Sequence, residues 1–332
     1  MSGPPVPFSS LPLSKEHEAT RLNAWGAYGA DDEAGFLNRQ TPETVAAAAA
    51  EIKTGVRVVL DAPLDFQVKT PLFGRQAFVK DVYQKKPRVV HDDTWSFNTQ
   101  SSTQWDGLRH FGYQKAQRFY NDVTLEDIAG TSDKGKSNPN ILGIQNTTER
   151  GGVTGRGILV DFARWAATPD GQKAVNGEFK NFDTSAIKLE WLKATLAAQG
   201  TEVKWGDILI VRSGFFDAFR KIDEPTLKTL QERHPPGLGG VEQSDQVLEW
   251  IWNNFSAVAS DHPSFERWPT PYEWSMHEVF LAGWGCHIGE LLDLEPLSKE
   301  CERQGRWSFF VSSVPTYVPG GVASPVNGVA IF

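Results

Sequence analysis

The alternation of apolar and polar positions divides the chain into short strand-like runs, helical patterns and one long polar stretch. Residues 41–55, TPETVAAAAAEIKTG, predict a helix: Thr41 can cap it, Pro42 suits the first helical position and Gly55 can end it. VRVVLDAPL, residues 56–64, is β-branched and alternating, which predicts a strand. Further strands are predicted at 157–162 (GILVDF), 207–213 (DILIVRS), 256–260 and 307–312. Between them, 184–200 (TSAIKLEWLKATLAAQG), 244–255 (SDQVLEWIWNNF) and 273–283 (EWSMHEVFLAG) place apolar residues at helical spacing. The expected class is mixed α/β. Residues 70–146 show little periodicity but carry many aromatics, including Phe73, Phe78, Trp95, Phe97, Trp105 and Phe111. A stretch of that length and composition argues for a functional segment rather than a disordered one. No linker of shifted composition interrupts the chain, so a single domain is expected.

Composition narrows the function. The 332 residues include 41 acidic and 33 basic side chains, a formal net charge of -8, which argues against a nucleic-acid or anionic-membrane surface. No apolar run approaches the ~18 residues of a membrane span, and the first fifteen residues show no secretory pattern. The two cysteines, Cys286 and Cys301, are too few for a disulfide framework and suit a reducing compartment, so a cytoplasmic protein is expected. The twelve tryptophans are the one unusual count.

Candidate chemistry concentrates in two places. In NTQSSTQWDGLRHFGY, residues 98–113, Gln100, Gln104, Asp106 and His110 recur at spacings of four, two and four, which align side chains on one face. This could be a general acid/base histidine with a carboxylate partner or metal ligand. It could equally be a polar loop in which Asp106 caps the turn at Gly107. In SMHEVFLAGWGCHIGELLDLEPL, His277 lies on a predicted helix, and Glu290 lies in an apolar run where a carboxylate is costly to bury unless paired or metal-bound. The alternative for Glu290 is a surface position on an edge strand. His287 reads as a satisfied core residue, and Asp261 and His262 suit capping as well as chemistry. The glycine cluster GGVTGRG at 151–157 reads as a turn before a strand. No HExxH, GxSxG or GxxxxGK[ST] motif occurs.

With these motifs the chain resembles the cyclase-like metal-dependent hydrolases, the family of bacterial kynurenine formamidase and isatin hydrolase, and most of all its longer fungal members. The blocks NAWGAYGADDEAGFLNRQTPETV, RGILVDF, WGDILIVRSGF, VASDHPSFE, HEVFLAGWG and PGGVASPVNGVAIF carry the likeness in order. The resemblance implies a single compact α/β domain with a mixed β core of the swivelling β/β/α type. Residues 1–20 would form an N-terminal extension and 21–332 the hydrolase domain. It implies a cytoplasmic homo-oligomer, dimer or tetramer, acting on a small aromatic or cyclic substrate.

In the family pattern HxGTHxDxPxH, two His and the Asp hold a divalent cation and the last His is the acid/base. Laid over this chain, Asp106 takes the ligand carboxylate's place and His110 that of the catalytic histidine. The ligand histidines fall on Gln100 and Gln104, and Pro on Leu108. His277 and Glu290 match the later metal-associated His and carboxylate. A neutral amide oxygen is a weaker and harder ligand than imidazole. The implied metal set of Gln100, Gln104, Asp106 and His277 therefore suits manganese, magnesium or calcium better than zinc, or no tight metal at all. One reading is a hydrolase opening a C–N or C–O bond of a small aryl amide, lactone or ester, with catalytic His110, Asp106 and Glu290. In its metal-free form, Gln100 and Gln104 would donate to the oxyanion. Trp95, Phe97 and Trp105 would wall the substrate. The other reading is a metal-free binding protein on the same scaffold.

Overall fold

A computed structural model describes residues 3–67, 71–130, 140–233 and 235–332; Thr70, at the start of the long polar stretch, part of its later half, and His234 lie outside the described residues. Thirteen strands form among them: β1 Arg57–Val59, β2 Val79–Gln84, β3 His91–Ser96, β4 Gln104–Asp106, β5 Val153–Val160, β6 Ala186–Ile187, β7 Asp207–Val211, β8 Gly240–Val241, β9 Phe255–Ser260, β10 Ile288–Glu290, β11 Ser308–Ser313, β12 Ala323–Pro325 and β13 Gly328–Ile331. Nine make one mixed sheet in the order β1-β13-β11-β5-β7-β9-β10-β4-β12. Its centre, β5-β7-β9-β10, is parallel, and antiparallel strands flank it on both sides.

The parallel centre explains the unbroken apolar runs. β7 and β9 are buried along their whole length because both sheet faces are covered, as parallel sheets require. Ile158, Val160, Leu209, Val211, Val258 and Ile288 pack on one face. Leu159, Ile208, Ile210, Ala257 and Ala259 pack on the other. The sheet curls, so the residues after β1 meet those after β10: Asp293 N donates to Leu60 O at 2.9 Å, and Asp61 bridges Leu292. The result is a single compact mixed α/β domain.

The predicted helices form with adjusted ends. Thr41 caps Pro42–Ala48, which tightens into a 3-10 turn ending at Glu51. Gly55 therefore does not end it; Thr54 and Gly55 instead donate to the Phe332 carbonyl. Leu189–Gln199 ends in a left-handed Gly200, and its first predicted turn is taken by β6. Asp245–Asn254 is capped by Ser244. The predicted helix at 273–283 is largely a π-helix, Glu278–Trp284. GGVTGRG is the turn into β5.

Within the long polar stretch the chain builds the β2–β3 hairpin, β4 and the capped helix Leu125–Ala129. The hairpin was invisible to periodicity because nearly all its residues face solvent, so no alternation is imposed. The N-terminal segment is packed down: Trp252 Nε1 donates to Val6 O, and Phe8 meets the Trp284 ring edge-on. Among the described residues no helix is long and apolar enough to cross a membrane. Cys286 and Cys301 are both buried and unpaired.

Candidate active site

Strand register assembles the site. β4 runs antiparallel to β10 with Gln104 opposite Glu290 and Asp106 opposite Ile288, so alternation sends Gln104, Asp106 and Glu290 to one face. Glu290 lies on an interior strand between β9 and β4 and is 1% exposed, which excludes the surface-edge alternative. Gln104 Nε2 donates to Glu290 Oε2 at 2.8 Å and to Gln100 Oε1 at 3.2 Å, and Gln100 Nε2 donates to Asp106 Oδ1 at 2.5 Å. Carboxylates only accept, so these contacts fix the orientation of both amides. Asp106 does not cap the turn at Gly107, whose N–H donates to Val322 O.

Two imidazoles close the cluster. His277, just before the π-helix, places Nε2 3.1 Å from Glu290 Oε1 and Nδ1 2.8 Å from Glu266 Oε2; its own N–H donates to Glu266 Oε1. His110 follows β4 by one turn, its N–H bonded to Gly107 O. Both Nε2 atoms lie 3.9 Å from Asp106 Oδ2, which is buried and accepts no hydrogen bond. The His110 side chain retains 20% of its exposure while Asp106 has none, so His110 is the ring that meets solvent.

Charge is distributed unevenly. Burial lowers His110 below its ordinary value; Asp106 opposes this, while the His277 and Arg75 charges add to it. The ring is therefore neutral near pH 7. For His277, burial disfavours charge, but Glu266 and then Glu290 outweigh it and hold the ring well above its usual value. Glu266 is correspondingly held below the ordinary carboxylate range by His277 despite complete burial. Burial pushes Glu290 up to about 7, with the Asp106 charge adding to the shift. With no cation bound, the core of the site is thus an imidazolium between two carboxyl groups.

The donor set fits a divalent cation. Asp106, His110 and His277 offer three ligand atoms within 4.8 Å of one another, and Asp106 Oδ2 and Gln104 Oε1 are buried without partners. The Glu266 contact at Nδ1 leaves Nε2 of His277 facing the cluster, and a ligating His277 would have to shed its Nε2 proton and its 3.1 Å contact with Glu290. Gln100 fits less well than expected, because its Oε1 already accepts from Gln104. The oxyanion role expected of the amides also weakens. Gln104 has both N–H groups engaged and Gln100 one of its two.

The expected aromatic walls divide. Trp105 is not a wall of this site: strand alternation turns it to the opposite face, where it is 2% exposed, donates to Ser313 Oγ at 2.8 Å and fills the space left by Gly289. Trp95 and Phe97 line an apolar cavity of about 750 Å³ with Val59, Ala62 and Ala323, and none of the polar cluster borders it. The ring beside the cluster is Phe111, 5.5 Å from His277 and 6.2 Å from His110 between ring centroids. Glu266 and Arg75 were also missed. Glu266 lies between Phe265 and Arg267, so no apolar run marks it in the sequence as one marks Glu290. Asp261 accepts from the N–H groups of Ser213, Gly214 and Phe215, a capping role. His262 packs on Phe179, and burial holds it down to about 3. His287 Nε2 meets Thr147 Oγ1 at 2.7 Å, but its Nδ1 has no partner.

Residues 15–267 match the sequence pattern of the Cyclase family, described as "Putative cyclase". The chain belongs to the cyclase family. A solved structure described as a novel cyclase is similar at 30% identity and a TM-score of 0.77, covering 93% of this chain and 99% of that one. Isatin hydrolase A from Ralstonia solanacearum shares the fold at 14% identity and TM-score 0.55, over 87% and 97% of the two chains. Isatin hydrolase A from Labrenzia aggregata does so at 15% and 0.54, over 89% and 98%. No curated protein matches the chain. Family membership supports an enzyme, and the cluster is compatible with a divalent metal.

Proposed function

We propose that this cyclase-family protein is a hydrolase that opens a C–N or C–O bond of a small aryl amide, lactone or ester, with His110 carrying protons between water and the leaving group. The observation that carries this reading is Asp106 Oδ2: a fully buried carboxylate oxygen without a partner, with the Nε2 atoms of two imidazoles each 3.9 Å away. Such an atom calls for a polar occupant, a water or a cation. The aromatic substrate class draws on fold relatives, one isatin hydrolase bound to benzyl benzoate and another to the product analogue thioisatinate.

Asp106, His277 and Gln104 would hold a divalent cation such as manganese, zinc or magnesium, with His110 left free on the solvent side. When bound, it would supply a water of lowered pKa and a polarised carbonyl. The chain's own groups do the rest. Neutral His110 accepts the proton of the attacking water and returns it to the leaving nitrogen or oxygen. Glu266 fixes the His277 ring, Glu290 accepts from the Gln104 amide and so orients it, and Phe111 offers an apolar surface beside both histidines.

The test is turnover of a panel of aryl formamides, lactones and esters, with elemental analysis of protein purified without chelator. His110→Ala should lower turnover by roughly 10²–10⁴-fold with unchanged thermal unfolding. Activity within about tenfold of the parent protein would remove His110 from its role. No turnover across the panel would favour a binding protein.

A further inference from the structure

One cation at the site is not yet accounted for. Arg75 follows the turn Leu72–Gly74, and its Nη1 donates to the Gln100 carbonyl at 2.7 Å. Its guanidinium carbon lies 4.8 Å from the centre of the Phe73 ring, a cation–π contact. Phe73 itself has a φ of 64°, a left-handed conformation costly for phenylalanine, and its ring meets Trp268 edge-on. The guanidinium is thereby pinned from two sides. Gln100, whose carbonyl it holds, donates its own side-chain amide to Asp106 Oδ1 at 2.5 Å, so the guanidinium stands next to the cluster, close enough for its charge to act on Asp106, Glu290 and His110. Yet among the described residues no carboxylate oxygen lies within 4.0 Å of this half-buried group, whereas His277 meets both Glu266 and Glu290. A guanidinium has five N–H donors, and among the described residues one of them is engaged, by the Gln100 carbonyl.

We infer that Arg75 is the receptor for the acyl oxygen, donating to the carbonyl oxygen as it gains charge and then holding the carboxylate product. This rests on the proposed hydrolysis. Water adds its oxygen to the acyl carbon and gives one proton to His110, while the carbonyl π pair moves onto the oxygen facing Arg75. That pair returns as the C–N or C–O bond breaks, and the leaving atom takes the proton from His110. The acid that remains loses the water's second proton to solvent. Whatever the leaving group, the product is a carboxylate, and a cavity already holding Asp106, Glu266 and Glu290 would repel it. The planar guanidinium fork matches two carboxylate oxygens and offsets that repulsion. The Gln104 amide cannot take this role, since both its N–H groups are engaged.

The test reads binding without turnover. Benzoate and its neutral isostere benzamide are titrated by calorimetry into the full-length protein and into Arg75→Gln and Arg75→Lys, after checking that thermal unfolding is unchanged. Arg75→Gln should weaken benzoate by roughly tenfold or more and leave benzamide alone, with Arg75→Lys between because the charge stays but the fork is lost. With a turned-over substrate, Arg75→Gln should lower kcat by roughly 10²-fold with little change in KM. Benzoate binding that is absent, unaffected in Arg75→Gln, or no tighter than benzamide overturns the assignment. Benzoate binding with no turnover on any substrate sinks the hydrolase and keeps the anion receptor. Turnover with Arg75-independent benzoate binding does the reverse.

Discussion

The buried cluster on β4 and β10 and the apolar cavity at the β2–β3 hairpin meet along residues 97–100, yet they are built on different terms. In the cluster, sheet register and complete burial set each group: Gln104 faces Glu290 because the strands pair there, and Asp106 follows by alternation. At the cavity, Trp95 stands on a hairpin that packs on little else and is 58% exposed. Reactive groups need fixed geometry, and the interior of a sheet supplies it. Peripheral loops supply apolar area that can vary without disturbing the strands.

Substitutions can break or sharpen this contrast. Trp105→Ala, on the core face of β4, should destabilise the protein by about 3–5 kcal/mol in urea titration. A loss under about 1 kcal/mol would mean that β4 is not anchored through that face. Asp106→Asn keeps the shape and removes the charge, and should cut turnover by roughly 10²-fold, about 2.7 kcal/mol of barrier, with folding intact. The pH profile gives a smaller effect. Activity that needs neutral His110 is lost as pH falls through that residue's pKa, which lies below its ordinary value of about 6.5. An acid limb at or above that value that persists in Glu290→Gln, whose parent carboxyl is pushed up to about 7, would contradict the environment described. The smallest effect belongs to the cavity: Trp95→Ala should change stability by no more than about 0.5 kcal/mol and leave kcat as it was. A fall in kcat would merge the two regions into one site.

How much of this was legible follows from what each residue depends on. β5, β7 and β9 could be read because strands covered on both faces must be apolar throughout. That Gln104 and Asp106 share a face could be read from their spacing alone. Glu266 and Arg75 could not, because they reach His277 and Gln100 from 11 and 25 residues away through folds of the chain that no local period records. Trp105 misled for the opposite reason. Its neighbours in sequence are catalytic candidates, but a strand sends adjacent side chains to opposite sides.

The π-helix after His277 has a consequence for chain length. A π turn carries more residues per hydrogen-bonded ring than an α turn, and such widened turns persist where a function depends on them. Between His277, tied to Glu266, and Gly285, whose carbonyl receives the Phe36 N–H at 3.1 Å, both ends of the segment are anchored. Removing a single residue would relax the widened turn and rotate one end against the other by about 100°. With every residue from Glu278 to Trp284 buried as well, the segment should tolerate no deletion, because its residue count sets how the two anchored ends stand to one another.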